Sequence, residues 1–343
     1  MKSARLGGSE VSVSALGFGG SVIGNLYRAV DEDTALGAVD AAWDAGIRYF
    51  DSAPHYGLGL AERRLGRALA GRARDEFAVS TKVGRLLVPD PLGAGLQDDA
   101  GFEVPADHRR VWDFSADGVR RSLDDSLRRL GLDRIDLVLI HDPDDHWAQA
   151  VGEAYPVLHE LRSQGVIGAI GVGMNQWQML ERFAAETDVD AVLLAGRYTL
   201  LEQSAVDSML PTCLRRNVSV LAAGVFNGGV LATDELGPEA MYDYAPAAPE
   251  LRARVARMAE MIHRHGASVP QVAMAFAAEH PAVASVVVGA RSAEEVRGNA
   301  ELFDQPVPAE LWGDLIAAGL LRPGLPLPTG YRTRSRHRGR SLD

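Results

Sequence analysis

Four residues of this chain have side chains that together could move a proton: Asp51, Tyr56, Lys82 and His141. Asp51, Lys82 and His141 each follow a β-branched or aliphatic run that predicts a strand. Tyr56 lies in the loop that follows Asp51. If the three strands are neighbours in a parallel barrel, all four side chains meet at the rim where barrel enzymes carry out catalysis.

The chemistry predicted for this group is proton transfer by a tyrosine. A free tyrosine has a pKa of about 10, too high for a base at neutral pH. Lys82, if buried within about 4–6 Å, would favour the phenolate of Tyr56, and lowering the pKa by about three units requires roughly 4 kcal/mol. Asp51 would pair with the buried ammonium, and His141 would hydrogen-bond the substrate oxygen. Such a site interconverts a carbonyl and an alcohol, and a cofactor must supply the hydride donor.

Each of these residues also has a structural interpretation when it is taken alone. An aspartate at the end of a strand is often a turn residue. Tyr56 could serve packing, the Lys82 side chain could extend to the surface, and His141 could be a satisfied structural group. Their coincidence at the same ends of three consecutive predicted strands favours the catalytic interpretation.

Strand-like and helix-like segments alternate along the chain. The predicted strands cover residues 13–19, 47–53, 77–83, 135–141, 167–174, 191–198, 218–226 and 283–289. Helical periodicity occurs at residues 33–45, 61–70, 116–130, 151–164, 177–185, 205–216 and 251–265. This count predicts the α/β class and a (β/α)8 TIM barrel. A doubly wound open sheet is the alternative, but the run GFGG at residues 17–20 lacks the third glycine of the dinucleotide fingerprint.

Three further segments are predicted to lie outside the strands and helices of the barrel. Residues 5–14 predict an N-terminal β-hairpin that turns at residues 7–9 and covers the barrel floor. Residues 84–116 form a long loop after strand 3, which we expect to cover the substrate. We expect residues 1–322 to form a single domain and residues 323–343 a basic, solvated C-terminal tail, whose arginines are Arg332, Arg334, Arg336, Arg338 and Arg340.

Composition narrows the class of partner. The formal net charge of −11 argues against nucleic acid as the main partner. Cys213 is the single cysteine, which excludes an intrachain disulfide and favours a reducing cytoplasm. The first residues lack the apolar core of a signal peptide, and no apolar run has the length of a membrane span. These features predict a cytoplasmic protein that acts on a small molecule; they leave its oligomeric state open.

The sequence resembles the aldo-keto reductases over nearly its whole length, from about residue 16 to about residue 303. The resemblance is carried by the runs AGIRYFDSAPHYG at residues 45–57, STKV at 80–83 and LRRLGLDRIDL at 127–137. It implies that Tyr56 is the general acid/base, that Lys82 and Asp51 tune it, and that His141 positions the substrate. It also implies a nicotinamide dinucleotide bound without a Rossmann fold.

Further runs resemble the aldose 1-dehydrogenases that act on L-fucose, L-galactose or D-arabinose, a subgroup that also includes enzymes acting on pyridoxal. These runs are LIHDPD at residues 139–144, LAGRYTLLE at 194–202 and GVFNGGVL at 224–231. The implied reaction oxidises a sugar at C1 to its lactone. Polar and aromatic groups near the rim, namely Trp112, Asp142 and Trp147, would hold sugar hydroxyls or would pack the loops.

The resemblance also assigns a set of cofactor-binding residues. A helix predicted to open at residue 293, after Ser292, suits a phosphate, although Ser292 is also a natural N-cap. Glu295 would repel a 2′-phosphate, whereas Arg291 could pair with one. We therefore predict that NAD is preferred and that NADP is possible. The full set comprises Gly20, Ser21, Asp51, Asn175, Phe226, Gly228, Leu231, Gly289, Arg291, Ser292, Glu295 and Asn299.

The chain departs from the family pattern around the nicotinamide. Many relatives have a serine, a glutamine and a stacking tyrosine at the positions of Met174, Ala195 and Ala223, respectively. Phe226 or Tyr198 would replace that tyrosine.

Two functions of other classes remain open. The run HDPDDH at residues 141–146 contains possible ligands for a metal hydrolase, but the other histidines lack strand-end positions, and we predict no metal site. A non-catalytic module that binds the cofactor with the same fold is the second alternative.

Overall fold

The computed structural model describes residues 1–93, 95–237, 240–243 and 245–328. The arginines of the predicted basic tail lie outside the described residues. Within the described residues, no helix combines the length and apolar character needed to cross a membrane.

A closed barrel of eight parallel strands forms the centre of the molecule, as predicted. Around the barrel the strands lie in the order β3, β4, β5, β8, β9, β10, β11 and β14, and β14 pairs with β3 to close it. Their bounds are Leu16–Gly19 (β3), Tyr49–Asp51 (β4), Ala78–Val83 (β5), Ile135–His141 (β8), Ile167–Met174 (β9), Ala191–Ala195 (β10), Ser219–Ala223 (β11) and Val283–Gly289 (β14).

Three of these strands are shorter at their carboxyl ends than the sequence predicts. The predicted strands at residues 47–53, 191–198 and 218–226 end at Asp51, Ala195 and Ala223, respectively. Gly196 and Gly224 follow the last two strands with φ of +70° and +62°, a conformation that leaves the extended region and turns the chain. The residues beyond them therefore line the rim as loops.

Helices surround the barrel and follow the predicted pattern. Hydrogen bonds from main-chain N–H groups to Asp31, Ser115 and Ser292 begin α1, α3 and α10, respectively. The helices are Glu32–Asp44 (α1), Leu60–Leu69 (α2), Ala116–Leu130 (α3), Trp147–Gln149 (α4), Tyr155–Ser163 (α5), Trp177–Glu186 (α6), Met209–Arg215 (α7), Pro249–Arg264 (α8), Val269–Glu279 (α9), Ala293–Asp304 (α10) and Ala309–Ala317 (α11).

The predicted hairpin forms and lies at the amino ends of the barrel strands. Strands β1 (Ser3–Arg5) and β2 (Ser12–Ser14) pair in antiparallel register. Leu6 and Val13 are buried against apolar residues of the barrel interior, including Tyr49. The amino-end mouth of the barrel is thereby filled with apolar side chains, and the opposite rim carries the polar residues described below.

The predicted insertion is an ordered ribbon at the carboxyl rim. Strands β6 (Arg85–Pro89) and β7 (His108–Trp112) pair in antiparallel register. Between them, Phe102 and Val104 pack with Leu58 and Tyr56. The insertion therefore covers the loop that carries Tyr56. A second pair of short strands, β12 (Met241–Tyr242) and β13 (Ala245–Pro246), lies in the loop after β11.

Candidate active site

The centre of the site is an ion pair between two neighbouring strands. Lys82 on β5 donates from Nζ to both carboxylate oxygens of Asp51 on β4, at 2.9 and 2.7 Å, and to the Ser52 carbonyl at 2.9 Å. Ser80 Oγ donates to Asp51 Oδ1 at 2.7 Å. Lys82 is 1% exposed, so its charge is compensated almost entirely by these oxygens.

Tyr56 lies directly over the lysine. The Lys82 Nζ is 4.5 Å from the centroid of the Tyr56 ring. Burial raises the pKa of Tyr56 to about 12, because the loss of water outweighs the opposing effect of the Lys82 ammonium, and Asp51 raises it further. The predicted proximity of Lys82 to Tyr56 is confirmed. The sequence predicts that the lysine lowers the pKa of Tyr56, but in the protein alone the burial of the phenol outweighs the lysine and raises that pKa.

Lys82 stays a cation in this environment. Burial on its own would lower the pKa of Lys82, but Asp51 and Tyr56 reverse that effect and hold the pKa above its ordinary value. Tyr56 therefore keeps a charged neighbour.

Two imidazoles face the tyrosine. The His141 ring lies edge-on to the Tyr56 ring at a centroid distance of 6.0 Å, and the His55 ring lies 5.7 Å from that of His141. Burial, together with the cations Arg85, Lys82 and Arg110, lowers the pKa of His141 well below its ordinary value and that of His55 to about 2. Both rings are neutral at physiological pH, so His141 can donate a hydrogen bond without adding charge.

A cavity of about 640 Å³ opens beside these groups. Its substrate end is lined by Tyr56, His55, His141 and Asp142, and it extends to the first turns of α10. Most of the residues predicted to bind the cofactor line this cavity, namely Ser21, Asp51, Asn175, Phe226, Gly228, Gly289, Arg291, Glu295 and Asn299.

The far end of the cavity suits an anionic dinucleotide. The Nε of Arg291 is buried and has no hydrogen-bond partner among the described residues, so the guanidinium can pair with a phosphate. Gly228 has φ +73°, and a Cβ there would lie 2.7 Å from the Met241 carbonyl oxygen. Glycine is therefore required at this position by the positive φ and by the close approach of the Met241 backbone, and Gly228 itself lines the cavity.

The model of the Aldo/keto reductase family matches residues 15–318 of the chain. The chain belongs to this family. Its relatives use nicotinamide dinucleotides, and the elongated cavity and free guanidinium of this aldo-keto reductase agree with that requirement.

Individual relatives give a finer comparison. The chain is 45% identical to a D-threo-aldose 1-dehydrogenase from Pseudomonas sp., over 91% of this chain and 95% of the relative. It is 40% identical to a pyridoxal 4-dehydrogenase from Microbacterium luteolum, over 92% and 97%. Among solved structures, a glycerol dehydrogenase from Gluconobacter oxydans superposes with a TM-score of 0.75 at 25% identity, covering 95% of this chain and 97% of that chain. The predicted resemblance to the aldose dehydrogenases is confirmed.

Several predicted residues lie outside the cavity. Lys82 and Gly20 lie behind Asp51, and the Gly20 N–H donates to the Asp51 carbonyl at 2.7 Å. Leu231 is fully buried in the core. Ser292 caps α10 by accepting from the Glu295 N–H at 3.2 Å. Lys82 nevertheless adjoins a side chain that lines the cavity, because its Nζ faces the Tyr56 ring.

The predicted role of Trp112 in substrate binding is not supported, because Trp112 does not line the cavity. Its ring stacks on Phe114 at 5.8 Å and covers the Arg85 guanidinium at 4.2 Å. Trp147 packs against Phe183 and Arg182 instead. These two tryptophans hold loops and helices together.

The part of the cavity that is predicted to hold the nicotinamide is lined by several apolar side chains. Met174, Ala195 and Ala223 all line the cavity, as does Phe226. Tyr198 is only 1% exposed and packs on Phe276, so it cannot replace a stacking tyrosine. Of the two predicted replacements, only Phe226 is in position.

Three site residues were missed by the sequence reasoning. His55 and Phe102 line the cavity, and Arg85 forms an ion pair with Asp142 at its edge. The position of His55 next to Tyr56 was an available signal. No local signal placed Arg85 or Phe102, since the path of the insertion decides where they lie.

As for the hydrolase alternative, the described part of the chain contains no group of three or more His, Cys, Asp or Glu arranged to hold a metal ion.

Proposed function

We propose that this aldo-keto reductase oxidises an aldose, such as L-fucose, L-galactose or D-arabinose, at C1 to the lactone, with NAD preferred over NADP. The observation that carries the proposal is the buried Asp51–Lys82 pair placed under Tyr56 at the end of a long cavity. The 45% identity to a D-threo-aldose 1-dehydrogenase supports the choice of substrate.

In the proposed reaction, Tyr56 accepts the proton of the C1 hydroxyl while the hydrogen on C1 leaves as hydride. The bound nicotinamide ring supplies the hydride acceptor. His141, being neutral, donates a hydrogen bond to the C1 oxygen and orients it. Lys82 stabilises the phenolate that precedes proton transfer, and Asp51 keeps Lys82 charged and in place. In the reverse direction Tyr56 donates the proton.

The preference for NAD is supported by Glu295. Its Oε2 accepts from the Arg291 N–H at 2.7 Å, which holds the carboxylate at the N-terminus of α10. A 2′-phosphate there would meet this negative charge, whereas ribose hydroxyls could donate to it. Asn175 would hold the carboxamide.

The protein is proposed to consist of one domain over residues 1–322 and to reside in the cytoplasm. The buried, unpaired Cys213 is compatible with a reducing compartment. The barrel and its covering helices supply one continuous core, which supports the single domain.

The decisive experiment is a panel of substrates with the purified protein. L-fucose, L-galactose, D-arabinose and pyridoxal are each offered with NAD and with NADP, and reduced cofactor is followed by its absorbance. We expect the highest kcat/KM for an aldose with NAD. Turnover of pyridoxal alone would favour the activity of the second relative. Activity only with small aldehydes and reduced cofactor would indicate a reductase, and cofactor binding without any turnover would indicate a non-catalytic module.

A further inference from the structure

The ion pair between Asp142 and Arg85 lies at the substrate end of the cavity, and the proposed proton transfer assigns it no role. Asp142 follows His141 directly and lines the cavity. Arg85 belongs to the inserted ribbon, and its guanidinium contacts the Oδ2 of Asp142. The pair therefore joins the barrel rim to the insertion.

The backbone of Asp142 is held in an uncommon conformation. Its φ is +43°, in the left-handed region, and its N–H donates to the Gly173 carbonyl at 3.0 Å. Residues in this region often occur at functional sites, where surrounding structure compensates for their strain. Here the conformation leaves the carboxylate at the cavity edge, beside His141.

The two carboxylate oxygens of Asp142 differ. Oδ2 meets Arg85 and lies 3.5 Å from Nε2 of His141. Oδ1 takes part in no hydrogen bond with the described residues. Asp142 lines the cavity, and a carboxylate oxygen without a partner of its own is available to accept from a ligand hydroxyl.

The position of the Asp142 carboxylate relative to His141 indicates which hydroxyl of the sugar it would bind. The proposed reaction places the C1 oxygen beside His141, and adjacent oxygens of a sugar are separated by about one hydrogen-bond length. Because the Asp142 carboxylate lies 3.5 Å from His141 Nε2, it is close enough to bind the hydroxyl on the neighbouring carbon. This inference rests on the proposed function, since it takes C1 as the reacting carbon.

We infer that Asp142 binds the C2 hydroxyl of the sugar and that Arg85 is the positioning residue that aims its carboxylate. Arg85 is itself fixed from two sides. Gly84 has φ +108°, which turns the chain out of β5, and the Trp112 ring covers the guanidinium. Arg85 thus contributes to the choice of substrate from outside the cavity lining.

The test compares D-arabinose with 2-deoxy-D-ribose, two sugars that differ only at C2. In Asp142→Asn, Arg85 would attract the amide oxygen and leave the NH2 group facing the substrate, so the acceptor is lost. Because a hydrogen bond to a charged group is involved, we expect kcat/KM for D-arabinose to fall roughly 10- to 100-fold, mainly through KM. The value for 2-deoxy-D-ribose should change little.

Two variants of Arg85 and one control complete the design. Arg85→Met should reduce the preference for D-arabinose, and Arg85→Lys should restore part of it. Asp145→Asn, an exposed change in the same loop, should leave both sugars unaffected. The ratio of the two kcat/KM values is independent of the folded fraction, so partial unfolding does not obscure the result.

The outcomes separate the two proposals. A wild-type protein that oxidises no aldose overturns the proposed function, and this inference with it. A wild-type protein that oxidises D-arabinose, but whose preference is unchanged in Asp142→Asn, overturns this inference alone and leaves the ion pair a purely structural link.

Discussion

The two faces of strand β5 carry two buried ion-pair networks with different consequences. Facing inward, Ser80 and Lys82 contact Asp51. Facing outward, Thr81 Oγ1 donates to Glu62 Oε1 at 2.6 Å, and Arg129 Nε donates to Glu62 Oε2 at 2.6 Å. Adjacent residues of one strand point to opposite faces, so one strand serves both networks.

The two networks differ in the groups that lie next to each ion pair. The outer pair joins α2 to α3 in the helical layer, and Glu62 is fully buried there. The inner pair borders Tyr56 and the cavity, so its charge acts on a group that a substrate can reach. A buried ion pair has a chemical role only where it adjoins a reactive group, and elsewhere it determines structure.

The strongest test of the inner network is Tyr56→Phe. Because the phenol is the proposed acid/base, we expect kcat to fall about 10²- to 10⁴-fold, with the fold retained by circular dichroism. Tyr198→Phe is the matched control, since the Tyr198 hydroxyl is buried without a partner and lies away from the cavity. Near-normal turnover of the Tyr56→Phe protein would contradict the assignment of Tyr56 as the acid/base.

Lys82→Met and Arg129→Met compare the two faces directly. Each leaves a buried carboxylate without its cation, so both should lower the free energy of unfolding by about 3–5 kcal/mol. Turnover per folded molecule should fall at least tenfold in Lys82→Met and stay close to wild type in Arg129→Met. Denaturant unfolding and steady-state rates measure the two quantities. Equal losses of turnover would show that the inner network has no special chemical role.

The pH dependence follows from the raised pKa of Tyr56. Oxidation needs the phenolate, and with a pKa of about 12 its fraction grows as pH rises. We therefore expect kcat/KM for the aldose to increase up to tenfold per pH unit from about pH 6 to 8. Reduction uses the protonated phenol and should show no such rise. A plateau in oxidation that begins near neutral pH would indicate that substrate and cofactor binding lower the pKa substantially.

The smallest expected effect concerns the cofactor end of the cavity. Glu295→Gln removes a negative charge that would face a 2′-phosphate, so kcat/KM with NADP should rise roughly fivefold, a modest gain because the site is partly exposed and screened. Glu294→Gln is the matched control, since Glu294 is exposed on the same turn but does not line the cavity. An equal response of both variants would assign the effect to overall charge.

The fold and the residues of the candidate site could be predicted from the sequence because both depend on local patterns. Apolar runs of strand length, alternating with helical periodicity, specify the barrel. Asp51, Lys82 and His141 end their strands, and the parallel arrangement alone then brings them to one rim. The same logic failed for the ends of β10 and β11, where Gly196 and Gly224 turn the chain early.

The amino-acid sequence alone was therefore enough to predict the barrel, the four central residues and the family. The three-dimensional structure was needed to show that Tyr56 is desolvated enough to raise its pKa, that Trp112 covers Arg85, and that Arg85 contacts Asp142. The physical reason is that desolvation and loop contacts depend on groups far apart in the chain, whose distances no local pattern encodes.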